Sequence, residues 1–160
     1  EGLGYLPQQR SVFNMSVYDN ILGVAQISIK GIDKQKEITE KLLDEFNLQH
    51  LRSLNANVLS GGELRRLMMA RVMINDPKVV LLDEPYAALD PLIIQDISKY
   101  ILSIQAKKTS IIVSDHNVKN LFDIVDRAYV LGSQGVIAEG TPRELLKSSK
   151  AVESYFGSNF

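Results

Sequence analysis

Leu59-Ser60-Gly61-Gly62-Glu63, a helical run to Ile74, then Val79-Val80-Leu81-Leu82-Asp83-Glu84-Pro85 with Ala88-Leu89-Asp90 behind it: the fold turns on how this stretch reads. Two glycines open a helix, and an all-apolar strand ends in two adjacent carboxylates. Glycines at a helix start let an anion approach backbone N–H groups where the helix dipole favours negative charge. Carboxylates at the carboxyl end of a buried strand stand where α/β proteins collect their ligands. One half of the stretch is therefore a device for a phosphate, the other a device for a metal ion and a water.

Each residue also has a plainer reading. Ser60 and Glu63 have capping-box spacing, so they can serve the helix start alone, and both readings can hold together. On the phosphate reading, Gly62→Val is expected to abolish phosphate recognition with little change in thermal stability. Asp83-Glu84 could be a solvated acidic turn, but the strand before it is wholly apolar and Pro85 stops further pairing. A Mg²⁺ ion needs hard oxygens and keeps several waters, so one carboxylate and a nucleotide's phosphates suffice. His116 follows the next apolar strand, Ile111-Ile112-Val113-Ser114-Asp115, which places it at the same sheet edge as Asp83 and Glu84. His50 has no such context and reads as a surface residue. Gln8 and Gln9 sit in the loop after the first strand, and Asp90 reads first as the N-cap of the helix that Pro91 opens.

The rest of the chain gives an alternating pattern. After the strand that Pro7 ends, residues 11–54 are helical: Ser16 to Ile21 start one helix, and Asp33 caps a second with Ile38, Leu42, Leu43 and Phe46 on one face. Leu48, Leu51 and Leu54 continue that stripe towards Leu59. Residues 78–82 and 110–114 read as strands buried on both faces of a parallel sheet. Between them, Ile93, Ile97, Tyr100, Ile101 and Ile104 form the inner face of a helix. Gly132-Ser133-Gln134-Gly135 marks a hairpin, and Thr141 to Glu144 a second capping box. The expected fold class is α/β, a core with a parallel sheet and an inserted helical subdomain; the family resemblance given below implies that this core is a partial P-loop NTPase core of the ABC ATPase type. The expected division is residues 1–10 as first strand and loop, 11–75 as helical subdomain, and 76–160 as α/β core with C-terminal helices.

Bulk properties exclude several alternatives. At 160 residues and 45% hydrophobic content the chain can bury a core. A net charge of -1 offers no electrostatic reason for nucleic acid as a partner. With no cysteine there is neither a disulfide framework nor a thiolate metal site. No apolar run approaches the roughly 20 residues that span a bilayer. The start at Glu1, without Met and directly in a strand-like phrase, is read as a truncation.

In this order and spacing, the motifs resemble those of ATP-binding cassette (ABC) ATPases over essentially the whole chain. Leu59 to Glu63 resembles the signature, Asp83-Glu84 the Walker B end, Ala88-Leu89-Asp90 the D-loop, His116 the switch histidine and Gln8 the Q-loop glutamine. The resemblance implies that Asp83 and Gln8 serve Mg²⁺, that Glu84 polarises the attacking water, and that His116 contacts the γ-phosphate of ATP. Ser60 to Gly62 would face a nucleotide held by a second subunit, with Asp90 at the dimer interface. No Gly is followed by Lys, so the phosphate-cradling Gly-x-x-x-x-Gly-Lys-Ser/Thr is absent from these residues, as is the adenine-stacking aromatic. The 160 residues alone are accordingly expected neither to bind nor to turn over ATP.

Within the family, Tyr5-Leu6-Pro7-Gln8, Ser16 to Ile21, Asp90-Pro91, Ser114 to Val118, Asp126 to Leu131, Ala138 to Pro142 and the tail Tyr155 to Phe160 are similar to the lipopolysaccharide-export branch. Ala87-Ala88-Leu89 departs from its usual Ala-Gly-Val, and Leu64 stands where Arg is common. Branched-chain amino acid importer ATPases share part of the tail. A repair ATPase would need a long coiled coil that residues 11–54 are too short to hold. A P-loop-less interaction module is the reading of a different class. The resemblance implies a head-to-tail homodimer on transmembrane permease subunits, peripheral on the cytoplasmic side of the inner membrane.

Overall fold

Three parallel strands carry the candidate site. In the computed structural model, which describes residues 2–132 and 135–148, β1 (Leu3–Leu6), β2 (Val79–Asp83) and β3 (Ser110–Ser114) pair in that order. Leu6 lies opposite Leu82, Leu82 opposite Val113, and Asp83 opposite Ser114. Parallel strands in register leave their sheet at one edge, so the loops after Leu6, Asp83 and Ser114 emerge side by side.

Side-chain alternation decides what each face does. Gly4, Leu6, Val80 and Leu82 are buried. A Cβ on Gly4 would lie 2.6 Å from Cγ1 of Val72, so the helix ending there presses directly on this face. On the opposite face Leu3, Tyr5 and Ile112 are 62%, 54% and 61% exposed. The expectation that β2 and β3 are buried on both faces is therefore corrected. Among the described residues their apolar runs are covered on one side only.

Everything between β1 and β2 is helical or turn. Helix α1 (Val17–Ser28) starts where Ser16 accepts the Asp19 N–H, and buries Val17, Asn20, Ile21 and Ala25. Helix α2 (Ile32–Glu45) buries Leu42 and Leu43, and Phe46 and Leu48 behind it are fully buried. Its N-cap is Gly31 at φ 95°, not Asp33, which sits inside the first turn where its charge suits the helix dipole. Leu54 does not extend the stripe, being 46% exposed. The helix ends in a Schellman arrangement: Asn47, at φ 50°, donates to the Asp44 carbonyl while Leu48 N–H reaches back to Leu43. Helix α3 (Gly61–Val72) buries Leu67, Met68, Met69 and Ala70. Helix α4 (Pro91–Ala106) follows β2 and buries Ile94, Ile97, Ile101 and Ile104. Its inner face is rotated from the expected one. Tyr100 is half-buried and stacks on Phe46 at 5.5 Å, and Ile93 packs at Gly62.

The segment after Gln8 has no regular structure and is held by its own Arg10 and by side chains from elsewhere. Arg10 donates to the Ala56 carbonyl at 2.7 Å. Arg71 donates to the Ser11 carbonyl and lies over the Phe13 ring at 4.7 Å. Asn20, fully buried, accepts from Phe13 N–H at 2.8 Å and donates to the carbonyls of Phe13 and Ser16 at 3.0 Å. A buried amide satisfied this completely fixes the chain around it.

The chain forms two compact units, residues 1–116 and 117–160. The second contains α5 (Val118–Phe122), β4 (Ala128–Gly132), β5 (Gly135–Gly140) and α6 (Pro142–Leu145). β4 and β5 pair antiparallel, as the hairpin signal implies, although Ser133 and Gln134 lie outside the described residues. Thr141 and Glu144 form the expected capping box. Val130 and Leu145 are the buried centre, with Val118, Phe122 and Ile137 against them. The Tyr155 to Phe160 tail falls outside the described residues.

Leu43 and Asn20 test this packing. Leu43→Ala is expected to cost about 2–5 kcal/mol in denaturant unfolding of the protein. Asn20→Ala, which strands one N–H and several carbonyls, is expected to cost about 1–3 kcal/mol, against a change near zero if the amide is incidental.

Candidate functional site

The sheet edge gathers four of the predicted residues. Asp83 is the last residue of β2, and Glu84 follows at φ 43°, a left-handed conformation that costs a non-glycine residue of order 1–3 kcal/mol. That turn is pinned by three hydrogen bonds. Glu84 N–H donates to the Ser114 carbonyl at 2.8 Å, Ala87 N–H to the Glu84 carbonyl at 3.1 Å, and Tyr86 N–H to Asp115 Oδ2 at 3.0 Å. The Gln8 amide donates to Glu84 Oε2 at 2.7 Å, and His116 Nδ1 lies 3.5 Å from the same oxygen. Glu84 is partly shielded, whereas the His116 side chain is 70% exposed. Gln9 does not join this cluster through any hydrogen bond among the described residues.

Asp83 is held from both neighbouring strands. Ser114 Oγ donates to Oδ1 at 2.9 Å, and Tyr5 OH donates to Oδ2 at 3.3 Å. Both partners lie on the open face of the sheet, where the register places them beside Asp83. Desolvation and the neighbouring carboxylate push the Tyr5 hydroxyl above the ordinary tyrosine value. A single fixed hard-oxygen donor beside the Gln8 amide fits a Mg²⁺ ion that draws its other ligands from phosphates and water. Among the described residues no three of His, Asp and Glu form a cage for a metal by themselves.

The signature residues form a separate cluster. Ser60 is the N-cap of α3, its backbone N–H donating to Glu63 Oε2 at 2.8 Å and its hydroxyl to the same oxygen at 2.7 Å. These bonds hold the Glu63 carboxyl below its usual range. A depressed carboxyl contributes stability above its unfolded pKa, and that contribution disappears as pH falls through the folded value. Leu59 is buried. A Cβ on Gly61 would lie 3.1 Å from Leu89 Cδ2, and one on Gly62 2.7 Å from Ile93 Cγ2. Gly62 is therefore needed for the close approach of α3 to α4, and the expectation that Gly62→Val spares stability is corrected. Asp90 caps α4, its Oδ1 accepting from Leu92 and Ile93 N–H at 3.1 Å. Ala88 stands at φ 57°, a left-handed backbone that glycine adopts more readily. Among the described residues no hydrogen bond or ion pair of Ser60, Gly61, Gly62 or Glu63 reaches Gln8, Asp83, Glu84 or His116. His50 lies away from the sheet edge, in a short 3-10 turn after α2.

Sequence reasoning missed the residues that hold this cluster. Tyr5 and Ser114 could have been found, because polar residues in apolar strands ask for a partner. Arg65 could not: it is 7% exposed and donates to the Pro7 carbonyl at 3.3 Å, next to Gln8. Burial pushes its guanidinium below the ordinary arginine value, with the Asp115 charge opposing.

Known proteins resemble this chain in sequence and in fold. The ABC transporter family model matches residues 1–87. The chain is 38% identical, over 99% of its length, to the lipopolysaccharide export system ATP-binding proteins LptB of Haemophilus influenzae and Escherichia coli K12, and spans 67% of each. Among solved structures, cbiO1 from Clostridium perfringens, part of the ABC transporter complex cbiONQ, matches 95% of the chain at TM-score 0.85 and 26% identity, with 62% of its own length covered. The ADP conformation of MJ1267, an ATP-binding cassette of an ABC transporter, matches 98% of the chain at TM-score 0.82 and 28% identity, with 68% of its own length covered. The chain thus spans about two thirds of the length of such relatives. With a family model over 87 of its 160 residues and relatives this similar from end to end, the chain belongs to the ABC transporter family of ATP-binding proteins.

Proposed function

We propose that this protein is the ATP-hydrolysing subunit of an ABC transporter and that it powers lipopolysaccharide export. It acts as a head-to-tail homodimer on transmembrane permease subunits at the cytoplasmic side of the inner membrane. The observation that carries the ATPase reading is the meeting of Gln8, Glu84 and His116 at one sheet edge, with 2.7 Å and 3.5 Å separations on a single carboxylate oxygen. The export reading rests on similarity, since proteins named for lipopolysaccharide export are 38% identical over 99% of the chain. No helix of the described residues is long and apolar enough to cross a membrane.

Catalysis is phosphoryl transfer to water, a reaction that depends chiefly on positioning and electrostatics. Glu84 accepts the proton of the attacking water. Gln8 fixes the carboxylate, and the exposed His116 imidazole stands where a γ-phosphate can reach it. Asp83 and Gln8 are the residues that would hold Mg²⁺, whose contribution is charge neutralisation on the phosphates. The N–H groups at the start of α3 bind the γ-phosphate of a nucleotide on the opposite subunit, the Ser60–Glu63 cap opening to admit it. Division into residues 1–10, 11–75 and 76–160 then has a functional sense. The first piece reads the nucleotide, the second carries the signature, and the third carries the base.

Three outcomes are expected. In the complete protein, Glu84→Gln lowers ATP turnover by about 10²–10⁴-fold while ATP binding persists; undiminished turnover overturns the assignment. Gly61→Ala meets only the tip of Leu89, so it lowers turnover with a stability change below about 1 kcal/mol by thermal unfolding. In cells, depletion of the protein causes lipopolysaccharide to accumulate in the inner membrane, and unchanged lipopolysaccharide distribution rejects the export reading but not the ATPase.

A further inference from the structure

Strand alternation carries one titratable group to the wrong side of the site. Continuing from β3, Ser114 and His116 turn towards Glu84 and Asp83, whereas Asp115 between them turns inward. Its side chain is 0% exposed, and a buried carboxylate is stable only when charge and hydrogen bonds compensate it. Oδ2 accepts the Tyr86 N–H at 3.0 Å, and Oδ1 lies 3.7 Å from His116 Nδ1. Its charge also supports the buried Arg65 guanidinium, which donates to the Pro7 carbonyl beside Gln8. Tyr86 is itself locked, 3% exposed with its hydroxyl 2.7 Å from Ser98 Oγ.

We infer that Asp115 is a positioning residue for Glu84, its buried carboxylate holding the Glu84-Pro85-Tyr86 turn against the loop that carries His116. The left-handed backbone at Glu84, φ 43°, is a conformation that persists only when its surroundings impose it. The Ser114 carbonyl fixes the turn at its start and Asp115 two residues later, so the two bonds bracket Glu84. Losing the second bond lets the turn relax and swings the carboxylate off the water it must activate. A misplacement of about 1 Å at a reacting group costs on the order of 10²-fold in rate.

The inference rests on the ATPase reading above, and a double-mutant cycle in the complete ATPase, assembled with its membrane partners, separates the two. Asp115→Ala is expected to lower kcat about 10–100-fold, with KM for ATP changed less than about twofold. Asp115→Asn, which keeps an acceptor for Tyr86 N–H, is expected to recover most of that loss. In a Glu84→Gln background, Asp115→Ala is expected to lower the single-turnover rate no further, because the group it positions is already gone. Full turnover by Asp115→Ala overturns the inference, as do multiplicative effects in the double variant or a fall in ATP affinity that tracks thermal unfolding in both Asp115 variants. If Glu84→Gln itself retains full turnover, Glu84 is not the base and the inference falls with it, whereas absence of ATP turnover in the unsubstituted complete protein overturns the ATPase reading itself.

Discussion

The register of β2 between two parallel neighbours is the constraint on which the candidate site depends. Leu82 opposite both Leu6 and Val113 means that three chain segments, distant in sequence, leave the sheet at one level. Gln8, Asp83 with Glu84, and His116 meet because the ladder ends there, before any of their own bonds form. A slip of one residue in the β2–β3 pairing would turn Ser114 away from Asp83 and Asp115 outward, since the side-chain period is two. Apolar contacts enforce the register: Leu6, Val80 and Leu82 are buried against the helices, and Gly4 gives α3 the close approach that holds β1 down.

Two kinds of cluster result, and their chemistry differs. At the sheet edge, an amide and an imidazole share a single oxygen of Glu84, an arrangement suited to moving a proton. At the start of α3, glycines and a capping box present backbone donors, an arrangement suited to an anion. Among the described residues they are unconnected by hydrogen bonds, as is fitting if each serves a different nucleotide in a head-to-tail pair. The capping box then has a second use. It keeps the helix end satisfied when no phosphate is present, so the site does not stand open with orphaned donors.

Strain and compensation recur at the functional positions. Glu84 and Ala88 both hold positive φ without being glycine. Such backbone persists where neighbouring bonds over-determine it, and here the Ser114 carbonyl and the Asp115 carboxylate do so. The irregular segment after Gln8 is treated likewise: Asn20 and Arg71 satisfy its carbonyls, and its own Arg10 reaches out to the Ala56 carbonyl. These supports come from side chains that look ordinary in the sequence.

Local chemistry made much of this legible in advance. Glycine pairs, capping spacing, an apolar run ending in carboxylates and a proline after an N-cap Asp are short-range signals, and each arises from backbone needs that no distant residue alters. They pointed correctly to the α/β class, the parallel strands, the caps at Ser60, Asp90 and Thr141, and the gathering of Gln8, Glu84 and His116. Signals that depend on what lies across a surface were unreadable. Asp33 gave way to Gly31 because helix entry needed a positive φ, and Ile93 left the inner face of α4 because Gly62 drew it aside. The exposed face of β3 and the buried charge of Asp115 were likewise decided by packing. Periodicity says which residues share a face, but only the assembled structure says what that face meets.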